Sequence, residues 1–190
     1  LKEGENKLAA QVFKWTSSSW CEDQDFFRFS GIYRDVYLYA IPEVHVSDVK
    51  IQTLLDDTFT KADLVIDTKA TKAGKVKITL SKDGEELQSV EETLAEESQY
   101  VMKVENPELW SAESPVLYDL LLEVMDENGQ VTEVIPQRVG FRRFEMKDSI
   151  MMLNGKRIVF KGVNRHEFSS VSGRVVSREE LIKDLVTMKQ

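Results

Sequence analysis

Two stretches of this chain hold residue types that do chemistry. The first is Asn164-Arg165-His166-Glu167, an amide, a guanidinium, an imidazole and a carboxylate in consecutive positions. Such a group can donate and accept hydrogen bonds at several points of one polar ligand. His166 is one of only two histidines, and a lone histidine is more often structural or superficial than catalytic. The second stretch is Glu22, Asp23 and Asp25, which lie beside Trp20, Phe26 and Phe27. Carboxylate oxygens suit a hard cation and aromatic rings suit the apolar face of a sugar, but taken alone these residues read as a solvated acidic loop at a core edge. There is no Gly-rich phosphate loop, no paired Cys and His at zinc spacing and no Gly-x-Ser-x-Gly elbow. His45, in Val44-His45-Val46, alternates outward on a strand and reads as surface. Arg142-Arg143 reads as a structural charge pair on a strand edge.

The elements that must position residues 164–167 are legible on both sides of them. Upstream, an Asn154-Gly155 turn leads into Ile158-Val159-Phe160, a short β-branched and aromatic run without two-residue alternation. That pattern predicts a buried strand covered on both faces, as in a parallel sheet. Downstream, Ser177-Arg178-Glu179-Glu180 matches a capping box, in which Ser and Glu satisfy each other's free backbone donors at a helix start. Leu181, Ile182, Leu185, Val186 and Met188 then recur at helical spacing. Strand, polar loop and amphipathic helix together predict the first βα step of a barrel or doubly wound sheet. Ligand sites in such folds gather at the carboxyl ends of strands, where residues 164–167 fall.

The remainder of the chain reads as β structure. Residues 6–15 and 32–40 read as strands, the second with Tyr33, Tyr37 and Tyr39 on one face, and Ile41-Pro42-Glu43 marks a domain boundary. Strands then follow at 44–53, 62–68, 76–80, 86–94, 100–104, 117–125 and 131–139, a spacing that predicts a sandwich. Asp83-Gly84 and Asn128-Gly129 sit between alternating runs and predict hairpins, because Asn, Asp and Gly tolerate positive φ. Trp110, in the loop between Pro107 and Pro115, is expected to plug one end of the sandwich core.

Composition narrows the function classes. The chain has 190 residues, 42% hydrophobic, with a formal net charge of -8 and a pI near 5.0. That is globular, and the acidic balance argues against nucleic acid and anionic membrane as partners. Cys21 is the single cysteine, which excludes an internal disulfide and is compatible with a reducing compartment. No run reaches membrane-spanning length and the first residues do not form a signal peptide. The chain has no initiator Met and stops at Gln190 inside a helical pattern, so both ends are expected to be internal to a longer protein.

Residues 154–167, with KGVNRHE after LNGK, resemble the opening of the catalytic barrel in the large multi-domain β-galactosidases of glycoside hydrolase family two. Residues 20–36 (WCEDQDFFRFSGIYRDV) resemble the end of that family's N-terminal sugar-binding domain, and residues 106–118 (NPELWSAESPVLY) a segment of its immunoglobulin-like domain. Val139-Gly140-Phe141-Arg142 fits the strand leading into the barrel, and the Glu-Asp-Gln-Asp variant favours β-galactosidase over glucuronidase or mannosidase. The resemblance implies a mainly β fragment with three parts. Residues 1–41 would end a jelly-roll sugar-binding domain, 42–144 would form an immunoglobulin-like β-sandwich, and 145–190 would begin a (β/α)8 barrel.

By the same resemblance, Asp25 ligates sodium beside the galactose. His166 contacts galactose hydroxyls and helps hold the transition state, with Asn164 at the same substrate and Arg165 and Glu167 in support. The parent would hydrolyse terminal β-D-galactosides, lactose-like substrates, with retention. The carboxylate pair that retention requires would come from later barrel strands, as would the magnesium ligands, so no catalytic residue is assigned within the chain. The resemblance further implies a cytoplasmic homo-oligomer. A different class of function is a non-catalytic carbohydrate-binding or adhesion sandwich, which leaves the capped C-terminal helix without a use.

Overall fold

The computed structural model describes residues 2–21, 30–32 and 34–190. These fall into two compact units, one spanning Ala40–Lys161 and the other combining Leu1–Tyr39 with Gly162–Gln190.

The larger unit is built on seven strands: β1 (Val46–Leu55), β2 (Lys61–Ala70), β3 (Gly74–Lys82), β4 (Glu85–Leu94), β5 (Glu97–Glu105), β6 (Tyr118–Met125) and β7 (Val131–Val139). They form two antiparallel sheets, β1-β2-β5 and β4-β3-β6-β7. All seven predicted strands are present. The architecture is an immunoglobulin-like sandwich whose fourth strand pairs with the third rather than with the first sheet. Alternation explains which face is buried. Leu64 and Ile66 on β2, Val76 and Ile78 on β3, and Leu120, Leu122 and Val124 on β6 all point inward and are almost wholly buried. Each stabilises the fold by about 2 kcal/mol through area removed from water. Edge strand β7 carries Pro136, whose missing N–H discourages further pairing.

The two predicted hairpins form by different turn geometries. Asp83 (φ 51°) and Gly84 (φ 85°) make a two-residue turn of the primed type. The β6–β7 connection is longer. Gly129 N donates to Asp126 O at 3.0 Å, Gly129 takes φ 78°, and Asp126 Oδ1 accepts from Asn128 N and Gln130 N, each at 2.9 Å.

Phe141, not Trp110, fills the end of the core. The Phe141 ring is fully buried and stands edge-on to Tyr118, with centroids 4.9 Å apart. The Tyr118 hydroxyl accepts from Glu108 N at 2.9 Å, a tyrosine corner that pins the incoming loop to the start of β6. Trp110 is half-buried outside this layer, with the Arg142 guanidinium 4.5 Å above its ring. Trp110 carries polar partners on its backbone that hold it at the rim: its N donates to Phe141 O and its O accepts from Asn154 Nδ2.

A small meander closes this unit: β8 (Phe144–Lys147), β9 (Ile150–Leu153) and β10 (Lys156–Arg157). Asn154 (φ 49°) and Gly155 (φ 74°) turn β9 into β10. Asn154 also joins the meander to the sandwich, because Asn154 N donates to Arg143 O at 2.8 Å and Asn154 Oδ1 accepts from Arg143 N at 2.9 Å. Arg143 itself reaches the turn between β1 and β2: Nη1 donates to Asp57 Oδ1 at 3.0 Å and its guanidinium lies 4.5 Å over Phe59. The structural reading of Arg142-Arg143 therefore holds.

Three predicted strands do not form ladders among the described residues. Residues 6–15 and 34–40 run without strand pairing, and Leu8, Phe13, Val36 and Leu38 are exposed. The run 158–160 is likewise unpaired beyond Ile158 N to Met151 O at 3.0 Å, and Val159 and Phe160 are 66% and 71% exposed. Alternation or an apolar run supplies only one side of a strand. Without a neighbour's N–H and C=O groups, extended backbone keeps its hydrogen bonds with water.

In the smaller unit, α1 (Arg178–Lys189) forms as predicted. Glu180 N donates to Ser177 Oγ at 3.2 Å and Ser177 N donates to Glu180 Oε2 at 2.9 Å, completing the capping box. Its apolar residues Ile182, Leu185 and Val186 remain exposed.

Candidate functional site

The loop between Gly162 and Ser177 carries the polar residues singled out above. Asn164, His166 and Glu167 are exposed, whereas Arg165 is half-buried. Arg165 turns onto the helix: Nη2 and Nε both donate to Asp184 Oδ2, at 2.5 and 3.2 Å. Four residues on, Ser169 Oγ donates to Glu180 Oε1 at 2.9 Å. Ser169 is itself fixed by paired backbone bonds with Gly173, at 2.7 and 2.9 Å. Glu167 faces Arg34 at 3.9 Å, with both side chains largely exposed, so that pair contributes little.

Glu180 thus serves the helix with one oxygen and the loop with the other. Its carboxyl is held below the usual glutamate range, chiefly by the Ser177 backbone N–H and next by the Ser169 hydroxyl. Hydrogen bonds to the ionised form are the cause. Asn164 and His166 are exposed on a segment tied to the helix at Arg165 and Ser169.

Asp25, with Glu22, Asp23, Phe26 and Phe27, lies outside the described residues. Among the described residues no three His, Cys, Asp or Glu side chains gather into a group that could hold a metal ion. His45 departs from its surface reading. It is half-buried, and its Nδ1 lies 2.7 Å from Pro42 O, where it donates, and 3.3 Å from Thr71 Oγ1. A strand position alternating outward was the expectation; the bond to Pro42 instead folds the ring back over the start of the sandwich. A groove of about 480 Å³ on the first sheet is lined in part by Lys50, Asp67, Lys69 and Glu97. These are cross-strand pairs, Lys50 with Asp67 at 3.7 Å and Lys69 with Glu97 at 3.4 Å, and they make a solvated face rather than a site.

Asp184 and the loop-facing half of Glu180 were not found from sequence. Their signal was the spacing i, i+4 on a helix that follows a polar loop, which puts both carboxylates on one face. Among the described residues no helix is long and apolar enough to cross a membrane.

Known proteins match the chain in three consecutive parts. The sugar-binding domain of glycosyl hydrolases family 2 matches residues 1–42, the family's central model matches 44–142, and its TIM barrel domain matches 144–190. The chain belongs to glycosyl hydrolases family 2, and carries the start of the barrel domain. It is 47% identical to a β-galactosidase of Halalkalibacterium halodurans, over 99% of this chain and 19% of that protein. It is 48% identical to a β-galactosidase of Clostridium acetobutylicum, over 100% of this chain and 22% of that protein. The chain therefore spans about a fifth of the curated relatives it matches. Among solved structures, the apo β-glucuronidase 3 of Bacteroides uniformis superposes with a TM-score of 0.75 at 29% identity, covering 87% of this chain and 21% of that one.

Proposed function

We propose that this chain is part of a retaining β-galactosidase that hydrolyses terminal β-D-galactosides. The observation that carries the reading is the identity of 47–48% with relatives named β-galactosidase, sustained over essentially the whole chain. In this reading residues 1–41 end the sugar-binding domain, 42–144 form the sandwich and 145–190 open the barrel. Asn164 and His166 contact the sugar, held out by the loop that Asp184 and Glu180 anchor. Both partners of the catalytic carboxylate pair, which retention places about 5 Å apart, belong to the protein outside these residues, as do the magnesium ligands. Asp25 is the proposed sodium ligand, since a carboxylate oxygen matches a hard cation. The protein acts in the cytoplasm as a homo-oligomer.

The test is hydrolysis of matched aryl β-galactoside and aryl β-glucuronide by the full-length protein, with the product anomer followed by NMR. Preference for the galactoside with β product formed first is expected. Preference for the glucuronide, or α product first, would overturn the reading.

A further inference from the structure

Residues 164–169 are fastened to α1 at two points that run in opposite order: Arg165 to Asp184 and Ser169 to Glu180. On the helix those carboxylates are four residues apart, one turn, and so project from one face. His166 lies directly between the two fastenings and Asn164 directly before the first. The first fastening is the stronger. Arg165 is 24% exposed and Asp184 50% exposed, and two guanidinium N–H groups converge on one carboxylate oxygen, a charge-assisted arrangement that fixes direction as well as distance. The second is braced from both sides. Ser169 Oγ also accepts from Val171 N at 3.2 Å and Ser172 N at 3.3 Å, while Glu180 is locked by the capping box.

An exposed loop that only had to connect a strand to a helix would need neither tie. We infer that Asp184 and Glu180 are positioning residues, which act through Arg165 and Ser169 to set where Asn164 and His166 stand against the substrate. This rests on the proposed function, because the substrate contacts of Asn164 and His166 belong to that reading. A displacement of about 1 Å in such a contact costs on the order of 100-fold in rate, so a salt bridge remote from the sugar can govern turnover.

The experiment uses the full-length protein. Asp184→Ala should lower kcat for an aryl β-galactoside about 10- to 100-fold, with KM changed by less than about threefold, because the misplaced groups serve the transition state more than the ground state. Asp184→Glu should recover most of the loss. Ser169→Ala, which leaves the capping box intact, should lower kcat by a smaller factor, about threefold. Lys183→Ala, next to Asp184 on the same helix, should leave kcat unchanged. Hydrogen exchange measured by mass spectrometry gives an independent readout: Asp184→Ala should speed exchange across residues 163–176 and leave the sandwich strands unaffected.

An active wild type in which Asp184→Ala keeps kcat within twofold overturns the inference, whether or not the loop loosens. Should Asp184→Ala fail to fold, Arg165→Lys, which keeps the charge and loses the fork, must still reduce kcat for the inference to stand. A wild type that hydrolyses no galactoside overturns the proposed function and the positioning role with it. Faster loop exchange in that case would leave the two ties as purely structural contacts.

Discussion

Asn154 joins the β8–β10 meander to the sandwich, and its replacement should be costly for reasons that can be separated. Its Oδ1 accepts from Arg143 N at 2.9 Å, its Nδ2 donates to Trp110 O at 3.0 Å, and its backbone sits in the left-handed region at φ 49°. Asn154→Ala removes both half-buried side-chain bonds, at about 1 kcal/mol each. It also places alanine where asparagine is tolerated and alanine is not, for about 1 kcal/mol more. The expected loss is about 3 kcal/mol. Asn154→Asp keeps the acceptor toward Arg143 N and most of the left-handed tolerance. It loses the donor to Trp110 O and sets a carboxylate against that carbonyl, for about 1.5 kcal/mol. In urea, with a slope of about 1.5 kcal/mol per M, the midpoints should fall by about 2 M for Ala and about 1 M for Asp with the slope unchanged. Far-UV circular dichroism reports the strands, and exchange at the Arg143 N–H should accelerate in the Ala variant but not in the Asp variant. Equal losses in the two variants, or losses below about 0.5 kcal/mol in both, would refute the reasoning.

Tyr118→Phe should destabilise the sandwich by about 1–2 kcal/mol and speed exchange at Glu108 N, since the ring packing on Phe141 survives and only the 2.9 Å bond is lost; unaltered exchange there would rule out the tyrosine corner as a working contact. The Asp56 carboxyl is held below the usual aspartate range, first by the Thr58 hydroxyl and then by the Lys61 and Thr60 backbone N–H groups. A lowered folded-state pKa stabilises above the ordinary aspartate range, and that stabilisation is lost as pH falls through the lowered value. Thr58→Ala should move the Asp56 titration, followed by carboxyl carbon NMR, back up toward the ordinary range; no movement would remove the hydroxyl as cause. In the full-length protein, Asp25→Ala should weaken the sodium dependence of galactoside hydrolysis and His166→Ala should lower kcat. Full activity with an unchanged sodium response in both variants would separate these residues from the sugar site.

The sandwich was legible because its signals are local. Alternation along β2, β3 and β6 selects one face, and Asp83-Gly84 sets the hairpin between β3 and β4 without reference to the remainder of the fold. The occupant of the core end was not local information. Trp110 and Phe141 are separated in sequence and adjacent in space, and the choice between them depended on which backbone groups needed partners. The strand readings at 6–15, 32–40 and 158–160 rested on pattern alone, while pairing requires a second chain segment that pattern does not specify. The candidate site shows the same division. The Ser177 capping box could be read directly, yet the ties of Arg165 and Ser169 to Asp184 and Glu180 could not, because a side chain's partner across a loop is set by tertiary placement.

The central claim is that these residues support a sugar site whose chemistry is done by carboxylates outside them. Turnover of an aryl β-galactoside by the purified 190-residue chain, set beside the full-length protein at equal molar concentration, tests it most directly. On the proposed reading the full-length protein should hydrolyse the substrate and the 190-residue chain should show no turnover above buffer, because that reading puts both halves of the carboxylate pair outside the chain. Turnover by the chain that survives repurification and persists at constant specific activity would contradict the claim.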